Sequence, residues 1–236
     1  MDQKVSIVIP CYNAEKWIEQ SIKTAATQDY ENIEVIFVDN ESTDRSLEIA
    51  KALQEEYNII ISSAKNIYPH CWDEARQEGF RLMTGDYVLV MGADDFLEPD
   101  FISNCMSIIM RRPEQFLALQ SPIRGMQETI KHEYKSPSEF KALCLQKCPV
   151  NTPTVIYNTS LYREGLLDAQ PALYGGAADY DMYCNLIDKG IMIIPAPNWC
   201  GFHYRWHEEQ ATWKVINESP NYDKMIQDYW RHKWQT

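Results

Sequence analysis

The chain has 236 residues, of which 45% are hydrophobic and 24% charged, proportions that exclude a disordered, collagen-like or coiled-coil protein. Its 22 lysines and arginines stand against 34 aspartates and glutamates, a net charge of −12 at neutral pH, which argues against a general nucleic-acid-binding surface. No run of about 18 apolar residues exists and the start lacks the basic, apolar and small-residue regions of a secretory leader, so a soluble, cytoplasmic protein is expected. The seven cysteines are scattered, without CxxC pairs or histidines at zinc spacing, and predict free, mostly buried thiols.

In chain order, residues 5–10, 34–39, 58–62 and 87–91 read as strands, and 14–27, 43–55 and 72–83 as helices between them. This alternation predicts βαβ units and a mostly parallel sheet. Val35-Ile36-Phe37-Val38 and Val88-Leu89-Val90-Met91 are continuous apolar runs, as parallel strands buried on both faces require. Ser42 or Thr43 is a candidate cap for the second helix, and Pro99 suits the first turn of another. Farther on, 116–120, 153–157 and 191–195 read as strands, and 138–146 and 179–189 as helices. A stripe of Tyr222, Met225, Ile226, Tyr229, Trp230 and Trp234 follows at helical spacing. It suits a helix packed on the domain, or one that meets a membrane surface or a partner.

Each early strand ends in polar residues, and ligands of open α/β sheets bind at those carboxyl ends. The strand in Gly85-Asp86-Tyr87-Val88-Leu89-Val90-Met91-Gly92 runs straight into Asp94 and Asp95. Adjacent like charges are costly there unless solvent or a cation neutralises them. Mg2+ or Mn2+, bound by one or two carboxylates with water and phosphate oxygens, is a fitting partner. The alternative is a simple turn that caps the next helix.

Val5-Ser6-Ile7-Val8-Ile9-Pro10-Cys11-Tyr12-Asn13-Ala14, then Val35-Ile36-Phe37-Val38-Asp39 with Asn40-Glu41-Ser42-Thr43-Asp44, then Arg76 eighteen positions before Asp94, then Asp94-Asp95 itself, resemble the family 2 glycosyltransferases. The resemblance implies a GT-A fold, a Rossmann-like mixed and mostly parallel sheet flanked by helices. It implies an inverting transfer of sugar from a nucleotide-diphosphate sugar, with UDP-sugars favoured, to a hydroxyl of a glycan or lipid-linked saccharide. Pro10, Tyr12 and Asn13 would line the nucleoside pocket and Asp39 would contact the base. Arg76 would lie near the base or phosphates, Asp94 would meet the ribose, and Asp95 would coordinate Mn2+ or Mg2+. The residue chemistry agrees: Tyr12 offers a stacking face, Asp39 an acceptor for a base N–H, and Arg76 a charged fork. Core packing for Tyr12, capping for Asp39 and a solvated helix face for Arg76 are the alternatives.

Inversion needs a carboxylate that takes the acceptor's proton. In Gly175-Gly176-Ala177-Ala178-Asp179-Tyr180-Asp181, Asp179 occupies the place of the family's basic aspartate, with Asp181 as the fallback and helix capping as the alternative. In Phe202-His203-Tyr204-Arg205-Trp206-His207, similar to the family's Tyr-Arg-x-His segment, His207 would complete the metal or diphosphate site. Arg205 would offset the leaving group's charge, and His203 reads as structural. Four departures accompany these matches: Gly92 for an acidic residue, Ala178 for the motif's glutamate, Gln77 for Asn, and Asn40-Glu41 for Asp-Gly. Gly92 and Ala178 leave open a non-catalytic sugar-nucleotide or glycan binding module. A nucleotidyltransferase would want a Gly-rich phosphate loop after the first strand, which is absent. The expected organisation is a catalytic domain over 1–207 with a helical extension over 208–236.

Overall fold

Val5–Cys11 (β1) is buried along its whole length, as a strand covered on both faces requires. In the computed structural model, which describes residues 3–68, 71–125, 128–216 and 220–235, β1 is an inner strand of a seven-stranded sheet. Helix Ile18–Ala26 (α1) leads into β2 (Ile33–Asp39), helix Ser46–Tyr57 (α2) into β3 (Ile60–Ser63), and helix Asp73–Leu82 (α3) into β4 (Tyr87–Val90). β1 pairs in parallel with β2 and β4, and β2 with β3. The short β5 (Phe96–Leu97), helix Phe101–Ile109 (α4), β6 (Ala118–Gln120), β7 (Ile123–Arg124), β8 (Thr129–Ile130) and helix Pro137–Cys144 (α5) follow. Next, β9 (Ile156–Asn158) inserts antiparallel between β4 and β6, which makes the sheet mixed. After α6 (Ser160–Arg163), α7 (Pro171–Tyr174) and α8 (Ala178–Asp188), β10 (Ile194–Pro195) pairs with β6. β11 (Phe202–His203) joins β5, β7 and β8 in a second, four-stranded sheet, and α9 (Ala211–Ile216) and α10 (Tyr222–Gln235) come last. The result is the mixed, mostly parallel α/β architecture that the sequence predicts.

Helices cover both faces of the large sheet. Ile7, Ile9, Phe37 and Leu89 pack with Ile18 and Ile22 of α1 and Phe101 and Ile102 of α4. On the opposite face Val8, Ile36 and Val88 pack with Phe80 of α3, Phe140 of α5, and Tyr180 and Tyr183 of α8. These two apolar layers supply the main stabilisation and hold the strand ends rigid. The free cysteines Cys11, Cys105, Cys144, Cys184 and Cys200 are buried, in line with expectation.

Several boundaries differ from the sequence reading, each for a local reason. The first helix begins at Ile18 rather than at 14: Trp17, with φ −127°, departs from helical geometry, and the N–H groups of Ala14 and Glu15 donate to Ser46 Oγ and Asp44 Oδ2 across the neighbouring loop. Ser42 and Thr43 do not cap α2; Ser42 Oγ accepts from the Asn13 N–H, the Thr43 N–H donates to Asn13 Oδ1, and α2 starts three residues later with Asp44 Oδ1 accepting from Ser46 N. Asn58, with φ 51°, ends α2 instead of opening a strand. Residues 152–154 form a 3-10 turn before β9, where Pro153 has no N–H to give a ladder. Pro99 precedes α4 by two residues and its carbonyl accepts from Asp29 N.

The aromatic stripe near residue 230 packs on the domain. Ile226 and Trp230 are buried against α8, the Trp230 indole donates to Asp181 Oδ1 at 2.7 Å, and Trp234 donates to Asp188. Trp230→Ala removes a buried indole and leaves Asp181 unpaired, so it should cost about 3–5 kcal/mol and lower Tm by roughly 10 °C. A thermal melt checks this, and an unchanged Tm would refute the docking of α10. Among the described residues no helix is long and apolar enough to cross a membrane.

Candidate active site

The parallel register sets Cys11 beside Asp39, so β1 and β2 deliver their following loops to one end of the sheet. Pro10 is buried opposite Val38 within the ladder. The Tyr12 ring beyond it is 49% exposed and offers an open face. Asn13, with φ 52°, acts as a staple: its Oδ1 accepts from the N–H groups of Thr43 and Asp44 and ties the two loops together. Asp39 is 5% exposed; its Oδ2 accepts from Ser42 N at 3.3 Å, while its Oδ1 is buried without a partner. A buried acceptor without a donor is costly, and a ligand N–H would satisfy it.

β4 ends at the same edge. Its loop bends at Gly92, where a Cβ would lie 2.7 Å from Asp94 Oδ1 and 2.9 Å from Asp95 Oδ2. Both carboxylates therefore fold back over the glycine, and a side chain at 92 would displace them. Asp95 is 1% exposed, and burial, then the neighbouring Asp94, pushes its carboxyl well above the usual range. Asp95 Oδ1 accepts from Arg205 N at 3.1 Å, and Asp94 Oδ2 meets His207 Nε2 at 2.9 Å. The His207 ring lies against Trp17 with centroids 3.9 Å apart and planes tilted by 30°, and its Nδ1 is buried without a partner. Two convergent carboxylates with a nearby imidazole suit a divalent cation, whose charge would relieve the repulsion. Among the described residues no three His, Cys, Asp or Glu side chains form a group that could hold a metal ion, so at most two protein ligands would bind it, and water and phosphate oxygens would fill the remaining positions.

Arg205 is committed to this loop. Its guanidinium donates to the Asp94 carbonyl and to Gln20 Oε1 and lies 4.7 Å over the Phe96 ring. Burial lowers its pKa against the opposing pull of Asp95 and Asp94. His203 has the structural role expected of it, stacked on Phe96 and bonded to Glu98 at 2.7 Å.

The antiparallel pairing of Leu89 with Ile156 sets the chain just before β9 beside the end of β4. Thr152 lies there, and its hydroxyl donates to Asp179 Oδ2 at 2.7 Å. Asp179 stands in the first turn of α8, whose N-cap is Ala177, and its Oδ1 accepts from Tyr180 N. Burial raises its pKa, against lowering by Thr152, the Tyr180 N–H and the charge of Arg76. Arg76 stands on the Asp179 side of the cleft: it pairs with Asp73 and its Nη1 lies 3.5 Å from Met182 Sδ. Asp181, the fallback base, is instead the acceptor for Trp230.

The structure thus brings Tyr12, Asp39, Asp94, Asp95, His207, Arg76 and Asp179 to one end of the sheet and leaves Pro10 inside it. Sequence reasoning missed Thr152, Trp17 and Gln20, whose partners lie far along the chain with no local pattern to announce them.

Residues 6–169 match the family described as glycosyl transferase family 2. A Methanococcus voltae protein described as a dolichyl N-acetyl-alpha-D-glucosaminyl phosphate 3-beta-D-2,3-diacetamido-2,3-dideoxy-beta-D-glucuronosyltransferase is 27% identical, with 92% of this chain and 71% of that protein covered. An Escherichia coli UDP-Glc:alpha-D-GlcNAc-diphosphoundecaprenol beta-1,3-glucosyltransferase is 29% identical over 91% of this chain and 82% of its own length. The chain spans far less of other relatives, 14% of a Streptococcus pneumoniae glycosyltransferase and 24% of an uncharacterized one from Rickettsia bellii. S. aureus TarS 1–349 with UDP-GlcNAc superposes with a TM-score of 0.69 at 18% identity, over 96% of this chain and 71% of that one. A Pyrobaculum calidifontis mannosyltransferase in complex with GDP-Man and Mn2+ gives 0.66 at 17% identity, over 97% and 69%.

Proposed function

The chain belongs to glycosyl transferase family 2, and on that premise we propose that it moves a sugar from a nucleotide-diphosphate donor to a hydroxyl of a lipid-linked saccharide, with inversion and with a divalent cation. The observation that carries this reading is the placement of a partnerless buried Asp39 oxygen, the Asp94-Asp95 pair with His207, and the hydrogen-bonded Asp179 around one end of one sheet.

Tyr12 stacks on the base and Asp39 accepts its N–H. Asp94 orients the ribose, and Asp95 and His207 would hold Mn2+ or Mg2+, which when bound would supply positive charge against the diphosphate. Asp179 takes the proton of the acceptor hydroxyl as its oxygen bonds to the anomeric carbon. The bond from that carbon to the diphosphate breaks on the opposite face. Thr152 and the Tyr180 N–H each hold one oxygen of the carboxylate, and a remaining lone pair takes the proton. Arg76 steadies the ionised form of Asp179, and Arg205 holds the aspartate loop in shape.

Two relatives bear names that specify β products on N-acetylglucosamine joined to a lipid through phosphate, which supports an acceptor of that class. A UDP-sugar is favoured because UDP-GlcNAc is bound by one neighbour and UDP-Glc is named for one relative. Such an acceptor places the enzyme at the inner face of a membrane, with the exposed Met225 and Tyr229 of α10 as the contact.

Thermal shifts with UDP-glucose, UDP-GlcNAc and GDP-mannose, each with and without Mn2+, test this reading. One nucleotide sugar should raise Tm in the presence of Mn2+; saturation at about 100 times Kd adds ~2.7 kcal/mol. A chain that responds to none of them, or equally without metal, does not carry out this reaction.

A further inference from the structure

Beside the aspartate loop lies a cavity of about 480 Å3 lined by Gly125, Glu128, Trp206, His207, Glu208 and Trp213. A smaller one of about 270 Å3 shares Gly125, Trp206 and His207. The larger volume falls within the ~300–1,000 Å3 usual for small-ligand sites, and neither the nucleotide nor the base assignment uses its aromatic walls.

Those walls are fixed in place. The Trp213 indole donates to the His207 carbonyl at 2.8 Å although the side chain is 39% exposed. Trp206 meets Trp213 at 5.2 Å with 48° between the planes, so the two indoles form an open V. Tyr204 abuts Trp206 edge-on at 5.6 Å. A Cβ at Gly125 would sit 2.7 Å from Trp206 Nε1, so the indole reaches its position because residue 125 has no side chain. Large apolar rings held partly open to solvent by hydrogen bonding and close backbone approach form a preorganised face, and such faces mark binding sites.

The chemistry of the cavity selects its ligand. A pyranose has one face of C–H groups that packs on an aromatic ring, and hydroxyls around its rim that donate to carboxylates. Trp206 and Trp213 supply the rings, and Glu128 and Glu208 the carboxylates. Two glutamates disfavour a diphosphate, so the donor's charged part is excluded from this cavity. The location fits as well: His207 joins the cavity to Asp94, and α9, which carries Trp213, packs against residues 175–177 just before Asp179. The cavity therefore adjoins the aspartate pair through His207, and the helix that walls it packs on the chain segment leading to the base.

We propose that Trp206 and Trp213 are the platform for the acceptor's sugar ring, with Glu128 and Glu208 accepting from its hydroxyls. The proposal rests on the glycosyl-transfer reading and assigns its acceptor subsite. Saturation-transfer NMR on the full chain, with the methyl α-glycosides of glucose, galactose and N-acetylglucosamine as probes, tests it. At least one probe should receive saturation at its ring C–H protons. Trp213→Ala should weaken that binding about tenfold and Trp213→Phe should restore part of it, while the thermal shift with UDP and Mn2+ stays at the wild-type value. Trp213 is exposed, so this variant is expected to fold even if Trp206→Ala does not. Absence of saturation for all three probes, or undiminished saturation in Trp213→Ala, overturns the platform. A wild-type chain that binds a probe but shows no shift with UDP and Mn2+ overturns the donor reading instead.

Discussion

Asp179→Asn is expected to slow sugar transfer by about 10²–10⁴-fold and to leave the Mn2+-dependent nucleotide shift intact. Asparagine keeps the size of the side chain: its oxygen can accept from the Tyr180 N–H and its amide N–H can donate to the Thr152 hydroxyl, which then accepts instead of donating, so position is retained and the proton acceptor is lost. Asp181 cannot substitute, because its carboxylate is tied to Trp230 in the packing of α10 on α8. The pH profile gives a second readout. Burial raises the Asp179 pKa, and a base acts only when ionised, so turnover should fall on the acid side through a limb that lies above the ordinary aspartate value of about 3.9. Thr152→Val removes a bond that favours the ionised form and should move this limb to higher pH. The stability term has the opposite sense. With the folded pKa raised, this carboxyl's contribution is fully present below the unfolded value and is lost as pH rises through the folded one. Full activity in Asp179→Asn would remove Asp179 as the base.

The first four strands and three helices were legible because their signals are local: continuous apolar runs for parallel strands, and helical periodicity between them. The helix starts were not, because Asn13, Ser42 and Ser46 direct polar groups across two loops and Asp44 divides its carboxylate between the Glu15 N–H and the start of α2. The small sheet was hidden for a related reason. β5, β7 and β11 span two residues each and exist through pairing with one another, which no periodicity records. The same divide runs through the site. Asp39, Asp94, Asp95 and Asp179 could be found from their places at strand and helix ends. Two residues that set their geometry could not: Gln20 meets Arg205 across 185 positions and Thr152 reaches Asp179 across 27. Gly92 reads in the sequence as a lost acidic residue, whereas in the structure its bare Cα is the space that both carboxylates occupy.

Asp95→Asn should separate stability from function in opposite directions. Asp95 is 1% exposed, has Asp94 beside it and accepts one backbone N–H, from Arg205. Ionised in that setting without a cation, it opposes folding through burial and like-charge repulsion. Asparagine matches its volume and can still accept from Arg205 N, so the metal-free variant should melt above the metal-free wild type near neutral pH. Added Mn2+ should reverse the order. The wild type gains stability because the cation binds the folded chain, while the variant, without the charge that attracts the ion, gains little. Transfer should fall by about 10²–10³-fold, the scale on which loss of one preorganised electrostatic element acts. Parallel melts with and without Mn2+ decide the matter. A variant less stable than wild type without metal would mean that Asp95 serves the fold through bonds other than the one to Arg205. A variant that retains the full Mn2+ gain would place the cation elsewhere. Only the crossing of the two melting orders assigns the carboxylate to the cation, because a purely structural aspartate would lose stability under both conditions.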